Sequence, residues 1–204
     1  MNKNREVICI QGLGFVGIAM ATAIANAKDK NGEPIYHVIG VELDNEIGNQ
    51  KVNSINSGQL PIEAEDTVFV NVFNNAIKNG NLKATTDQSV YKDANVVVVD
   101  IHLNIDFDEY SSPLVDYSGF KNAISTIGKY IMPDTLLLLE TTVPPGTCEK
   151  VLKPTLYEEL RKRKILEDSV FIAHSYERVM PGKEYFNSII NYWRVYAGVN
   201  KQSA

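Results

Sequence analysis

The chain has 204 residues, of which 44% are hydrophobic, and a formal net charge of -5. These values are typical of a globular protein of one domain, or one domain with a small appendage, and exclude a disordered chain. The acidic balance argues against nucleic acid or an anionic membrane as a partner, and no segment approaches the roughly 18 apolar residues of a membrane span.

Cysteine and histidine are scarce in the chain. Two cysteines, Cys9 and Cys148, are too few for a disulfide framework or a cysteine-based zinc site, and the three histidines share no metal-ligand spacing. The first residues lack the apolar segment of a signal peptide. We therefore expect no bound metal and a cytosolic location.

Strand-like and helix-like segments alternate along the chain. The predicted strands cover residues 6–12, 37–43, 81–85, 95–101, 135–140, 169–175 and 193–198. The predicted helical segments cover residues 15–28, 44–54, 62–79, 86–94, 116–130 and 147–164, with a polar loop at 102–115. Alternation of this kind predicts an α/β fold over residues 1–204, Rossmann-like and doubly wound, with helices on both faces of a mostly parallel sheet.

Three residues are predicted to shape helix ends. Asp44 and Asp116 precede helical segments and are candidate N-caps, because their carboxylates can accept a hydrogen bond from the first turn. Pro154 lies inside the segment that follows Gly146, where it either kinks that helix or starts a second one.

A glycine motif, "GLGFVG", links the first predicted strand to the first helix. Gly12, Gly14 and Gly17 have G-x-G-x-x-G spacing, with Phe15 and Val16 between the last two. The first glycine permits a tight turn, the second admits a pyrophosphate and the third allows close helix packing. The helix N-terminus favours phosphate charge, so this motif predicts a dinucleotide site.

Glu42, at the end of the second predicted strand, is the candidate partner of the adenosine ribose. A carboxylate there accepts hydrogen bonds from both ribose hydroxyls and repels a 2′-phosphate, which favours NAD over NADP. Glu42 follows Gly14 by more than the usual spacing, because the polar segment "DKNGEPIYH" intervenes. The alternative is that Glu42 is an exposed residue at a strand end.

Three motifs in order carry a family resemblance: "GLGFVG", "ETTVPPGT" and "SYERVMPG" followed by "WRVYAG". Together they resemble the NAD-binding domain of the UDP-glucose/GDP-mannose dehydrogenase family over nearly the whole chain. The "ERVMPG" version is more similar to the branch that acts on UDP-N-acetylhexosamines, the UDP-N-acetylmannosamine dehydrogenase-like branch. The resemblance implies oxidation of the sugar C6 alcohol of a nucleotide sugar to a carboxylate with two NAD.

The resemblance also implies roles for individual residues. Thr142 would position a water and the nicotinamide, Val143 would belong to the rigid loop beside the cofactor, and Glu177 would lie near the reacting carbon and NAD. Two departures stand out. The family's V-P-T-P-like stretch is absent from residues 100–109, where neither His102 nor Asn104 can be assigned a contact, and Tyr176 replaces the proline of S-P-E.

The resemblance implies that residues 1–204 are one part of a longer enzyme. The family's nucleophilic cysteine lies in a G-G-x-C-x-P-K-D-like motif that these residues lack, and such a thiol traps the aldehyde. We therefore expect a fragment that binds NAD with little or no chemistry of its own. Its full-length enzyme would bind the UDP-sugar through a C-terminal domain and form a homodimer.

Two alternative functions and three local interpretations remain. The chain could be a non-catalytic dinucleotide-binding module, or the first domain of a β-hydroxyacid-type dehydrogenase.

Cys148 lies near a helix N-terminus, which can lower a thiol pKa, but no neighbouring base is evident and we expect a bystander. His174 is expected to be an ordinary strand-end residue. Part of the aromatic group at 185–196 is expected to be exposed.

Overall fold

The computed structural model describes residues 5–180 and 182–204. Their strands are β1 (Glu6–Gln11), β2 (Tyr36–Val41), β3 (Leu82–Thr85), β4 (Val96–Val99), β5 (Asn104–Phe107), β6 (Pro113–Asp116), β7 (Leu136–Leu139), β8 (Phe171–Ser175) and β9 (Tyr196–Gly198). Seven of them form one sheet in the order β3-β2-β1-β4-β7-β8-β9. All pairs in it are parallel except β8 with β9, which confirms the predicted doubly wound α/β architecture.

The described residues also form six α-helices. They are α1 (Phe15–Ala25), α2 (Glu46–Asn56), α3 (Thr67–Lys78), α4 (Ser118–Tyr130), α5 (Lys153–Lys162) and α6 (Tyr185–Asn191). None of the helices within the described ranges is long and apolar enough to cross a membrane.

The sheet is buried on both faces, because its strands are apolar at consecutive positions rather than at alternate ones. Along β1, Ile8 and Ile10 face one apolar cluster with α1, α3 and α6, whereas Cys9 faces a second cluster with α4 and α5. Along β4, Val98 belongs to the first cluster and Val97 to the second. The side-chain period of two therefore divides one continuous apolar run between two cores.

Residues 102–115 are not the loop that the sequence predicts. β5 and β6 pair as an antiparallel hairpin apart from the main sheet, with Asn104 opposite Asp116 and Phe107 opposite Pro113. Its side chains are mostly exposed, so no core-facing alternation marks it in the sequence. The turn is closed by Asp108, whose Oδ1 accepts the Ser112 N–H at 2.8 Å.

The two predicted caps differ in outcome. Asp44 does not cap α2, because Asn45 occupies the N-cap and its Oδ1 accepts the Gly48 N–H at 2.8 Å. Asp116 precedes the N-cap of α4 by one residue, yet its Oδ1 accepts the N–H of Ser118 at 2.8 Å. The predicted hydrogen bond from the first turn of α4 to the Asp116 carboxylate is therefore confirmed, although Asp116 is not itself the N-cap residue.

Pro154 is the second residue of α5, which continues directly from a wider helical turn. The chain first winds as a π-helical turn over Cys148–Leu152, and α5 follows with proline near its N-terminus. Proline has no N–H to donate to the preceding turn, so a wider turn before it leaves fewer groups unpaired. The proline thus marks a change of helix type within one continuous helical segment.

Candidate functional site

The glycine turn joins β1 to α1 at the carboxyl edge of the sheet. Gly12 has φ +93° and a Cβ there would lie 2.6 Å from the carbonyl oxygen of Asp100, so only glycine fits without strain. A Cβ on Gly17 would lie 3.0 Å from the Gly12 carbonyl carbon and closer still to its oxygen. The first and third glycines therefore have the structural roles that the motif predicts.

Gly14 differs because it faces open space. It is the N-cap of α1, it provides no side-chain cap, and an added Cβ would meet nothing within 4 Å. The first-turn N–H groups of α1 lack an intrahelical partner, as at any helix start. This opening beside a helix N-terminus suits a pyrophosphate, so the turn fits the cofactor that its sequence predicts.

Glu42 lies against the glycine turn and is not an exposed strand-end residue. It is 8% exposed, and its Oε1 accepts the N–H of Leu13 at 2.7 Å. The same oxygen is 2.9 Å from Nζ of Lys51 on α2. Both contacts use Oε1, which leaves Oε2 for the hydroxyls of a ligand. Glu42 therefore supports the turn as well as standing at the end of β2.

Phe15 anchors the turn to a distant segment, which the sequence alone does not predict. Its ring stacks on that of Tyr185 in α6 with 4.4 Å between centroids, and its carbonyl oxygen accepts the Tyr185 hydroxyl. Asp66 reinforces the junction, because it caps α3 through Oδ1 and accepts the Phe186 N–H through Oδ2 at 2.9 Å. Val16, the other residue within the motif, is partly buried. The segment after Glu177 is thus fastened to the turn.

The loop after β7 carries the "TTVPPGT" residues. Thr142 is exposed, Val143 is partly buried, and Gly146 adopts φ +86°. The loop is closed by Thr147, whose hydroxyl donates to the Pro144 carbonyl at 2.7 Å. Thr142 and Val143 therefore stand at the same edge of the sheet as the glycine turn, and Thr142 is the more exposed of the two.

Glu177 follows β8 and lines an open cleft of about 420 Å³ with Arg178 and Tyr192. Its Oε2 accepts the N–H of Val179 at 2.6 Å, which holds the carboxylate close to its own loop. Pro181 of the same motif lies outside the described residues. His174 ends near this loop, with Nε2 3.4 Å from the Thr141 carbonyl oxygen, as expected for a strand-end residue.

Two further acidic residues, which the sequence reasoning missed, share this edge. Asp100 directly follows β4 and Glu140 directly follows β7. Burial raises the pKa of Asp100 to about 8, aided by Glu140 and Glu177, and burial also raises the pKa of Glu140 against the opposing effect of Arg194. Nη1 of Arg194 lies 2.6 Å from Oε1 of Glu140. The available signal was a carboxylate placed directly after an apolar strand, in "VVVVD" and "LLLLE".

Comparison with known proteins agrees with this geometry. Residues 6–204 match the family described as "UDP-glucose/GDP-mannose dehydrogenase family, NAD binding domain". The chain belongs to this family. UDP-N-acetyl-D-mannosamine dehydrogenases of Methanococcus maripaludis strain S2 and Methanococcus vannielii are 29% and 32% identical to it. Each alignment covers 97% of this chain and 40% of the relative.

A solved structure shows the same fold. It is the NDP-N-acetyl-D-galactosaminuronic acid dehydrogenase of Methanosarcina mazei Go1, with a TM-score of 0.84 and 27% identity. The match covers 98% of this chain and 40% of that one. The chain thus spans about 40% of the length of the relatives it matches. As a member of the family it is a Rossmann-like NAD-binding domain, and its cofactor is NAD.

Neither cysteine of this family member has the environment of a reactive thiol. Cys9 is buried within β1, and burial with the nearby Asp93 carboxylate raises its pKa to about 12. Cys148 lies near a helix start, but burial and then Glu149 raise the pKa of its thiol, which agrees with the expected bystander. Thiolate is the nucleophilic form, so both thiols are poor nucleophiles near neutral pH.

The aromatic group near the end of the domain is divided. Tyr185 and Phe186 are buried in the first apolar cluster, whereas Tyr192 and Tyr196 are exposed and Trp193 is 91% exposed. The prediction that part of this group is exposed is therefore confirmed.

Proposed function

We propose that this chain is the NAD-binding part of an enzyme that oxidises the C6 alcohol of a UDP-sugar to a carboxylate, with two NAD consumed per sugar. The observation that carries the proposal is the glycine turn, where the open side of Gly14 lies at the N-terminus of α1 beside Glu42. The relatives' names point to UDP-N-acetylhexosamines as the substrate class.

Glu42 is proposed to select NAD against NADP. Its carboxylate is fixed by the Leu13 N–H and by Lys51, and its Oε2 remains for the ribose hydroxyls. A 2′-phosphate in the same place would meet a buried negative charge, which is costly unless another cation compensates. Lys51 already has Glu42 as its partner, so it offers limited compensation.

Thr142, Val143 and Glu177 are proposed to serve the reacting end of the site. Thr142, an exposed residue, is proposed to orient a water and the nicotinamide through its hydroxyl, and partly buried Val143 to limit solvent access on that side. Glu177, in the cleft, is proposed to hold a proton of the reacting alcohol or water. The cofactor would supply the hydride-accepting chemistry.

The nucleophilic thiol is proposed to come from sequence outside residues 1–204. Oxidation beyond the aldehyde needs a thiolate to form a thiohemiacetal, and burial raises the pKa of both cysteines in this chain. We further propose that the nucleotide of the UDP-sugar binds mainly to that other part. The full-length enzyme would be a cytosolic homodimer.

Calorimetric titration of this chain with NAD and NADP tests the Glu42 assignment. NAD should bind at least about tenfold more tightly than NADP, and Glu42→Ala should weaken NAD binding. Glu42→Gln is the sharper variant, because its amide oxygen can still accept the Leu13 N–H while the charge is lost. It should gain NADP affinity. Equal affinity of the wild-type chain for both cofactors would remove the assignment.

Turnover assays test the reaction itself. The full-length protein should form two NADH per UDP-N-acetylhexosamine, whereas residues 1–204 should form none. NADH production by residues 1–204 alone would contradict the proposed external thiol. NAD binding by the full-length protein with no turnover of any nucleotide sugar would instead indicate a non-catalytic dinucleotide-binding module.

A further inference from the structure

Three carboxylate side chains follow the carboxyl ends of three neighbouring parallel strands of the sheet. Asp100 follows β4, Glu140 follows β7 and Glu177 follows β8, and these strands are neighbours in the order β4-β7-β8. The main-chain N–H of Glu140 donates to the Val99 carbonyl at 3.0 Å, which keeps the β4 and β7 ends in register. We call Asp100, Glu140 and Glu177 the acidic cluster.

The acidic cluster combines three carboxylates with one paired cation among the described residues, Arg194. Glu140 is 3% exposed, and its Oε1 is paired with Arg194, but its buried Oε2 has no partner among the described residues. The same is true of the buried Oδ2 of Asp100. Buried carboxylate oxygens are normally hydrogen-bonded, so two unpaired ones at one strand edge require an explanation.

Two ordinary explanations do not fit. A metal site is not indicated, because no group of three or more His, Cys, Asp or Glu side chains in residues 5–180 and 182–204 could hold an ion. A purely structural ion pair would need only Glu140 and Arg194. Asp100 adds a second carboxylate, whose charged form is disfavoured first by burial and then by Glu140 and Glu177.

The position of the acidic cluster relates it to the cofactor. A doubly wound sheet binds a dinucleotide across two mononucleotide halves, on either side of the point where the strand order reverses. Here that point lies between β1 and β4, and Glu42 at the end of β2 belongs to the adenosine half. The acidic cluster belongs to the other half, which receives the nicotinamide. Asp100 also borders the glycine turn through its carbonyl oxygen.

We propose that the acidic cluster stabilises the positively charged nicotinamide of NAD over the neutral nicotinamide of NADH, and thereby favours release of the reduced cofactor. A hydride carries two electrons and one net negative charge, so its transfer to the ring neutralises the ring's single positive charge. Fixed negative charge near that ring loses its attraction at the same step. The inference depends on NAD binding and not on the identity of the sugar.

The preference should depend on pH through Asp100. The groups that act on Asp100 are Glu140, Glu177 and Arg194, and Tyr185 from α6 lies close enough to be affected by it. Burial, then Asp100 and Glu177, raise the pKa of Tyr185, so its hydroxyl stays neutral between pH 6.5 and 9. As pH rises through about 8, Asp100 gains its charge and the preference for NAD should increase.

The test is the ratio of the NADH and NAD dissociation constants of this chain, measured by calorimetry between pH 6.5 and 9. The ratio should rise several-fold in the wild type and stay flat in Asp100→Asn, with a difference of about tenfold at pH 9. Glu158→Gln removes the same charge from the exposed surface of α5 and should behave as the wild type.

The wild-type pH series needs no variant, so it decides the question even if Asp100→Asn does not fold. A ratio that does not change with pH in the wild type, or that changes equally in Asp100→Asn, would overturn the inference while leaving the proposed function intact. Absence of binding by either cofactor would contradict both.

Discussion

Exchanging the glycines of the turn separates its structural role from its binding role. At Gly17 an added methyl would overlap the Gly12 carbonyl, which is main chain and cannot rotate away. At Gly14 the methyl would enter open space, and its φ of -77° is available to alanine. We therefore predict opposite consequences for Gly17→Ala and Gly14→Ala.

The magnitudes follow from this geometry. Overpacking costs up to about 3 kcal/mol, and replacing glycine inside a helix recovers about 1 kcal/mol, so Gly17→Ala should lose about 2 kcal/mol of stability. In a domain of this size that lowers Tm by about 4–8 °C. Gly14→Ala should lose under about 1 kcal/mol through a poorer N-cap, but should bind NAD at least about tenfold more weakly.

Thermal unfolding followed by circular dichroism measures the first effect, and calorimetric titration of the folded variants measures the second. A Gly17→Ala chain that unfolds at the wild-type temperature would show that α1 does not approach the turn closely. A Gly14→Ala chain with wild-type NAD affinity would show that the space beside this residue does not receive the pyrophosphate.

Three further substitutions test the interactions around the site. In urea unfolding, Asp100→Asn should stabilise the chain by on the order of 2 kcal/mol at pH 8 and by much less at pH 4. The reason is that the pKa of Asp100 is raised from 3.8 to about 8 in the folded chain, so the native state loses stability as pH rises between these values. Equal gains in stability at both pH values would contradict this. Arg194→Met should cost about 2–4 kcal/mol by leaving Glu140 without its cation, and much less in a Glu140→Gln background, as a double-mutant cycle would show. Tyr185→Phe should keep the ring stacking but lose the hydroxyl bond to Phe15, at about 1 kcal/mol; an unchanged Tm would argue against that bond.

The sequence predicts those parts of the domain that depend on local spacing. The glycine turn and its roles follow from residues within six positions of one another, and Val97 to Val99 identify a strand covered on both faces. The hairpin at Asn104–Asp116 escaped prediction because its side chains face solvent, so pairing leaves no apolar alternation. Its register depends on the Asp108 turn.

Contacts between distant segments account for the rest of what was missed. Arg194 and Glu140 are 54 residues apart, and Tyr185 and Phe15 are 170 residues apart. Nothing in the local pattern of either member indicates its partner. The choice of Asn45 over Asp44 as the cap of α2 is a different kind of error, because both residue types suit the position and only backbone geometry separates them.

The glycine turn is held from outside by bonds to its main chain. The Glu42 carboxylate accepts the Leu13 N–H on one side, and the Tyr185 hydroxyl donates to the Phe15 carbonyl on the other. The polar contacts therefore do not require particular side chains at positions 13 and 15. For protein engineering, this makes the turn a scaffold in which the side chain of Val16 can be varied to retune cofactor affinity, while Phe15 keeps its ring contact with Tyr185 and the loop keeps its shape.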